Sequence, residues 1–479
     1  MLRSLWPKSA SSACLRERLS RTGQEAAHAG LLNRRSLLQL AAAALPARFV
    51  RAASLPPGPV MTRLSTYISE AQGRELPREV IEKAKHHILD TFAAMISGSE
   101  LPPGRAAIQF ARAYGGEKIA TIAASAVLCG PLEAALANGV LAHADETDDS
   151  WPGGWHPGCN VVPAALAAGE QFNISGAQFV RAVALGYDVG ARMLTTLRPG
   201  VFDTHKSTHS IGGVFGAAAA AGCAAGLNVQ QMRWLLDYTA QQSSGIAAWD
   251  RDTDHIEKGF VFGGMPARSG VTSALLVKSG WTGVDDILSG DDNFLLANAP
   301  HADEAALIDK LGERYEITRT SIKKWTVGSP IQGPLDALEI MLRKHPFEPD
   351  QVKEVIVRMA PGSVVDNREM PDVCIQHMLA VMIIDKTATF KSAHDKARMQ
   401  DPVVLRHRAK VQLRPGAGQP LVAVTLTDGT RLTEDVTAVL GTPNNPMSRE
   451  QVIAKCRDLM VPVLGAPASA KLIDRTLDL

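Results

Sequence analysis

The densest run of chemistry-bearing residues is Ala142-His143-Ala144-Asp145-Glu146-Thr147-Asp148-Asp149-Ser150-Trp151, and Trp155-His156-Pro157-Gly158 follows closely. Four acids in five positions, flanked by two histidines, offer what proton abstraction beside a carbonyl or carboxylate needs. One group acts as base, and a carboxylate orients it or holds a second proton. If the preceding apolar helix runs on through this segment, His143, Glu146 and Ser150 share a face by i, i+3 and i+7 spacing. Two other readings compete. One is a solvated acidic helix end. The other is magnesium binding, because Asp145-Glu146-Thr147-Asp148-Asp149 matches the D-[DE]-x-x-D pattern of helical isoprenoid synthases. Such sites also need an Asn/Ser/Glu motif at four-residue spacing, and the later helices lack one. The expectation is an acid–base site without a metal.

Further chemistry lies downstream. Thr204-His205-Lys206-Ser207-Thr208-His209-Ser210 opens an Ala-rich helix, where free backbone N–H groups, Lys206 and two histidines could receive a carboxylate; a plain Ser/Thr cap is the bland alternative. His255-Ile256-Glu257-Lys258 precedes Gly263-Gly264-Met265-Pro266-Ala267-Arg268, and Ser321-Ile322-Lys323-Lys324-Trp325 leads to Gln332 at an expected domain junction, where ligands often bind. Candidate catalytic residues are therefore Glu146, Ser150, His156, His205 or His209, Lys258 and Lys323; candidate substrate contacts are Asp149, Lys206, Arg268 and Gln332. No phosphate loop, dinucleotide fingerprint or G-x-S-x-G elbow accompanies them. That inventory suits a cofactor-free enzyme acting on an anionic substrate.

The elements that must hold these residues read as mainly α with α+β. From Val60 to about Thr320 the periodicity is helical: Leu132, Leu136, Val140 and His143 form a stripe after Pro131, and Val161–Glu170, Ala177–Leu194 and Gly213–Gly226 are Ala/Gly-rich helices suited to close crossings. After Arg319 the texture changes. Val352–Met359 and Ala409–Arg414 read as strands, and Leu421–Thr427 and Arg431–Val439 as a hairpin around Asp428-Gly429. The expected organisation is a large all-helical domain over residues 60–320, completed by 441–479. A smaller α+β domain over 321–440 is inserted before an amphipathic C-terminal helix near Ser448–Met460.

Composition narrows the class. The chain has 479 residues, 46% hydrophobic, 21% charged and 5% aromatic, an ordinary balance for a globular enzyme. Its net charge of +1 hides an asymmetry: residues 1–52 carry +7 and the remainder −6, which speaks against a nucleic-acid partner. No later stretch reaches about 18 uninterrupted apolar residues, so a membrane-spanning bundle is not expected. Six dispersed cysteines support neither a zinc knuckle nor a disulfide framework. Asn33-Arg34-Arg35-Ser36-Leu37-Leu38, a short apolar stretch and Val50-Arg51-Ala52 resemble a twin-arginine export signal ending near residue 53. The expectation is a periplasmic protein, free of the membrane once the signal is removed; a basic leader on a cytoplasmic protein is the alternative.

The order of motifs is familiar over roughly residues 60–465. Ala142-His143-Ala144-Asp145-Glu146-Thr147-Asp148-Asp149-Ser150 with His156-Pro157 matches A-H-A-x-D-x-D-D-T…H-P, and Val161 to Glu170 matches V-x-P-A-A-L-A-x-x-E. Trp281-Thr282-Gly283 with Ile287 to Gly290, and Lys323 to Trp325 with Leu335-Asp336, complete the set. In these motifs the chain resembles the MmgE/PrpD family, which includes 2-methylcitrate dehydratase, cis-aconitate decarboxylase and iminodisuccinate epimerase. The resemblance implies a two-domain homodimer with a site between domains and neither metal nor organic cofactor. It places Glu146 at the family's catalytic aspartate, Ser150 at its threonine, His156 at a catalytic histidine, His205 or His209 at a second, and Lys258 and Lys323 at two lysines. Gly328 and Gln332 stand where decarboxylase-like members carry histidines, which implies a different substrate. The expected activity is a lyase or isomerase that removes a proton beside a carboxylate of a small di- or tricarboxylate. The rival is an exported, non-catalytic carboxylate-binding protein.

Overall fold

Small residues set how the helices pack. In the computed structural model, which describes residues 56–479 except 202–203, 300, 360–363 and 417–420, the helix Pro131–Ala142 starts with Pro131 in its first turn and is buried on nearly every face. It crosses the segment Phe260–Gly264 at backbone distance: a Cβ on Gly139 would lie 2.6 Å from the Gly263 carbonyl. Helices Gly176–Val201 and Thr208–Ala224 cross just as closely, Gly186 facing Gly216 and Gly190 facing Gly212. Side chains larger than hydrogen would push these axes out to the usual 8–10 Å. The export-like leader and Cys14 lie outside the described residues, and Pro56–Leu479 form one compact unit.

The architecture is mainly α with a smaller α+β part. One apolar core runs through the helices from Met61 to Ile317. A second, from Trp325 to Val436, fills the space between a four-stranded sheet and the helices Ser329–Lys344 and Ile375–Asp385. The sheet order is Val411–Pro415, Val352–Met359, Leu421–Leu426, Arg431–Asp435; the first pair is parallel and the others antiparallel. Asp428-Gly429 makes the hairpin turn, with Gly429 at φ +89°, but the last strand stops at Asp435 rather than Val439. The C-terminus holds two helices, Arg449–Leu464 and Ala466–Leu477, split at Gly465 (φ +77°). Val452, Cys456, Leu459 and Ile473 pack against Leu89, Ala93 and Ile96 of the helix Arg78–Gly98, so the chain returns to its N-terminal helices.

Ile256–Lys278 is continuous, with a π-helical stretch at Phe260–Gly264. By length and composition it could cross a membrane, yet 61% of its apolar window is buried in the protein, as for a core helix. The five described cysteines are free and buried.

Candidate active site

The helix Pro131–Ala142 ends where the acidic run begins. His143 adopts φ −119°, ψ 37°, and residues 143–150 are irregular, so the helical i, i+3, i+7 face does not exist. An irregular backbone suits four adjacent acids better than a helix, because each carboxylate can turn toward its own partners. None is solvated: Asp145, Asp148 and Asp149 are fully buried and Glu146 is 4% exposed. Buried charge persists only when paired, and all four are paired.

Asp149 is spoken for internally. It accepts from His87 Nδ1 (2.6 Å), the Tyr187 hydroxyl (2.6 Å) and the Gly158 N–H (2.8 Å), the last at the start of the helix Gly158–Phe172. A Cβ on Gly158 would lie 2.6 Å from Thr91 Oγ1, so only glycine permits this approach. Asp145 accepts from the Thr147 N–H at 3.0 Å and pairs with His394 Nε2 at 2.9 Å. Burial alone would lower the His394 imidazole; Asp145 first, then Asp372 and the Phe390 carbonyl, raise it to about 9.

Asp148 and Glu146 hold the reactive geometry. Asp148 lies 3.0 Å from His156 Nδ1 and 3.1 Å from His143 Nδ1. Burial would raise its carboxyl, but the two imidazoles hold it well below the carboxylate range. An ionised carboxylate only accepts, so both Nδ1 atoms carry hydrogen. His143 Nε2 is buried without a partner, and burial lowers this imidazole to about 4 despite Asp148. His143, Asp148 and His156 also bring three ligand-type atoms within 4.8 Å of one another, a grouping that could hold a metal ion. Asp148 sits at ordinary hydrogen-bond distance from both imidazoles, while His143 Nε2 stays unpartnered.

Glu146 is gripped by two lysines. Lys258 Nζ bonds one carboxylate oxygen; Lys323 Nζ lies 3.2 Å from the other and 2.8 Å from the Glu146 carbonyl. Burial opposes ionisation of Glu146, yet Lys258 and then Lys323 outweigh it and hold the carboxyl well below its ordinary value. Burial likewise disfavours the Lys323 cation, and Glu146 with Asp148 more than restores it. Paired backbone hydrogen bonds of 2.9 Å between Ser150 and Ser321 bring the Lys323 segment alongside. The Gly139–Gly263 crossing brings Lys258.

These groups meet at a cavity of about 320 Å³ whose lining includes Glu146, Ser150, His156, His209, Trp249, Lys258, Phe262, Gly328, Arg368 and Asp250. His209 stacks on Phe262 (centroids 3.7 Å apart, planes 12°), and its imidazole is pushed well below the ordinary value by burial and then by His156 and His143. π-helical segments such as Phe260–Gly264 recur at functional sites, and this one aims Phe262 inward. Arg368 Nη1 reaches Asp250 Oδ1 at 3.4 Å across the cavity.

Several expected residues stand elsewhere. His205 is exposed, in a left-handed conformation (φ +55°), outside the lining, so His209 is the histidine of this pair at the cavity. Lys206 Nζ bonds Asn298 Oδ1 at 2.5 Å instead of facing the cavity. Arg268 points to the surface, 3.7 Å from Glu133. Gln332 is buried and clamps Trp325 N–H (3.0 Å), Trp325 O (2.8 Å) and Val327 O (2.9 Å), leaving no group for a substrate. Asp149 has its own partners, as above. Lys323 sits behind Glu146, away from the cavity lining. Asp148, His143, Phe262, Trp249, Asp250 and Arg368 were missed as site residues. Only Asp148 and His143 carried a signal, as members of the acidic run.

A cis-aconitate decarboxylase-like protein of Aspergillus oryzae is 25% identical over 63% of this chain and 66% of its own length. Cis-aconitate decarboxylase of Aspergillus terreus is 23% identical over 88% of this chain and 93% of its own. The Homo sapiens cis-aconitate decarboxylase is 25% identical over 80% and 84% respectively. The MmgE/PrpD N-terminal domain matches residues 62–304 and the MmgE/PrpD C-terminal domain residues 325–479. The chain belongs to the MmgE/PrpD family.

Proposed function

We propose that the protein is a cofactor-independent lyase or isomerase that abstracts a proton beside a carboxylate of a small di- or tricarboxylate. The observation that carries this reading is one cavity holding a carboxylate-oriented imidazole, His156 on Asp148, opposite a cationic Lys258 on Glu146. Asp148 occupies Nδ1, so Nε2 of His156 is the nitrogen left for substrate. It takes the proton from the carbon, and the charge that develops on the adjacent carboxylate is met by Lys258 in a poorly screened site. Lys323 acts through Glu146, holding it where Lys258 can be shared between Glu146 and substrate. His209, kept neutral, donates a hydrogen bond in an orientation fixed by Phe262. Arg368 is the cavity's guanidinium, and its fork suits a second substrate carboxylate once Asp250 is released. Proton return gives isomerisation, and departure of a β-hydroxyl as water, carrying a proton, gives a dehydrating lyase; in decarboxylation the acid–base pair runs in the other sense, carbon dioxide leaving its C–C electron pair on carbon and His156 delivering a proton there.

The curated relatives are named for cis-aconitate. Gly328 presents no side-chain donor to its part of the wall, where a Cβ would make ordinary contacts with Val365 (3.4 Å), the Asp372 carbonyl (3.8 Å) and Val373 (3.8 Å).

The test is proton NMR in deuterium oxide with a panel of di- and tricarboxylates. The expected result is deuterium exchange at a carbon beside a carboxylate, abolished in a folded His156→Ala variant. Saturable binding of such acids with no exchange at all would instead support the non-catalytic carboxylate-binding protein.

A further inference from the structure

A second cavity, of about 750 Å³, lies on the other side of the Trp151-Pro152 turn, which forms a wall of both cavities. It contains none of the histidines or lysines of the acid–base cavity. One loop builds much of it. The Arg192 guanidinium, fully buried, donates to the carbonyls of Asp309, Lys310 (3.3 Å) and Arg314 (3.0 Å), while its Nε reaches Asp188 at 3.4 Å. The loop is thus tied down from inside, with its charged side chains left toward the cavity.

Part of that charge is balanced. Glu316, with a side chain only 3% exposed, accepts from Arg314 Nε (2.7 Å), Trp151 Nε1 (3.1 Å) and Arg319 Nη1 (3.2 Å), and Arg314 also pairs with Asp309. The rest is not. Arg63, Arg198 and Lys310 line the cavity with exposed side chains that have no acidic or hydrogen-bonding partner among the described residues; Asp303 is the one lining acid in the same condition. A concave wall with three unpaired cations against one free acid concentrates field lines and attracts counter-charge. Guanidinium groups match the paired oxygens of phosphates and carboxylates.

We propose that this cavity is a second ligand site, for a small, multiply charged oxyanion of the phosphate or polycarboxylate class. It goes beyond the acid–base reading and does not depend on it, since none of its cations contacts Glu146 or His156.

Isothermal titration of the full chain with inorganic pyrophosphate and, separately, with citrate tests the proposal. Three proteins are compared: the unaltered chain, an Arg198→Ala/Lys310→Ala variant and a Lys258→Met variant, each checked for an unchanged far-ultraviolet dichroism spectrum. The two alanine replacements remove exposed, unpaired side chains, so the fold has no reason to change. The expected result is saturable binding of at least one anion by a site that Lys258→Met retains and the double alanine variant weakens tenfold or more. Binding of pyrophosphate alone assigns the phosphate class, of citrate alone the polycarboxylate class, and of both the shared oxyanion chemistry. Absence of saturable binding by either anion overturns the proposal. So does binding that the double alanine variant leaves unchanged, or binding that only Lys258→Met removes.

Discussion

The His394–Asp145 pair makes the protein's stability depend on pH in a direction that can be worked out. His394 lies on the short helix Phe390–His394, and Asp145 in the acidic segment 249 residues earlier. In the unfolded chain the imidazole has its ordinary value of 6.5; in the folded protein Asp145 and Asp372 raise it to about 9. The folded state therefore holds the proton more tightly. The pair's contribution is fully present below pH 6.5 and is lost as pH rises through 9. At about 1.4 kcal/mol per tenfold change in proton affinity, this amounts to about 3 kcal/mol. The side chain is only 14% exposed, so solvent screening takes away little of it. Urea unfolding of the wild type and His394→Gln at pH 6 and pH 10 reads it out. Tryptophan emission and far-ultraviolet dichroism should be followed together, to check for a single transition. Comparing the two proteins cancels the other groups that titrate. The expected stability difference is about 3 kcal/mol at pH 6, shrinking toward zero at pH 10, with Asp145→Asn removing the same pH dependence. An equal difference at both pH values would refute the reasoning.

Asp148→Asn leaves one acceptor for two imidazoles and frees the His156 tautomer, so exchange at carbon should fall about 10²–10⁴-fold with the fold retained; an unchanged rate would show that Asp148 does not orient the base. Lys258→Met leaves Glu146 buried with only Lys323 and should cost about 3–5 kcal/mol in thermal or urea unfolding. Adding Glu146→Gln should recover most of that loss, and strict additivity of the two changes would contradict the pairing. Gly139→Ala forces a Cβ to within 2.6 Å of the Gly263 backbone. Overpacking of this kind should destabilise by about 1–3 kcal/mol and weaken carboxylate binding by moving Lys258, measurable by melting and titration calorimetry.

Much of the site was legible because chemistry concentrates in rare residue types. Acids beside histidines after an Ala-rich helix marked Glu146 and His156, and the spaced motifs added Ser150, one of His205 and His209, Lys258 and Lys323; only the fold puts His209 rather than His205 at the cavity. What failed was inference about direction. Lys206, Arg268, Gln332 and Asp149 have the right chemistry for a carboxylate site, but each is committed elsewhere: to Asn298, to a surface acid, to the Trp325–Val327 backbone, and to His87 with Tyr187. The helical reading of 143–150 failed for a related reason. Local periodicity cannot register that four buried carboxylates each need a different set of donors.

The sequence by itself determined the helical and strand texture, through side-chain period and through Ala and Gly at the crossings, and it determined which residues could carry protons. Tertiary structure alone decided which of them meet. Lys258 and Glu146 are 112 positions apart, His255 and Asp372 117, Lys323 and Glu146 177. The cause is physical: a buried charge is stable only beside its counter-charge. Such partners are chosen by how helices and sheet close around them, a long-range property that no local pattern of residues encodes.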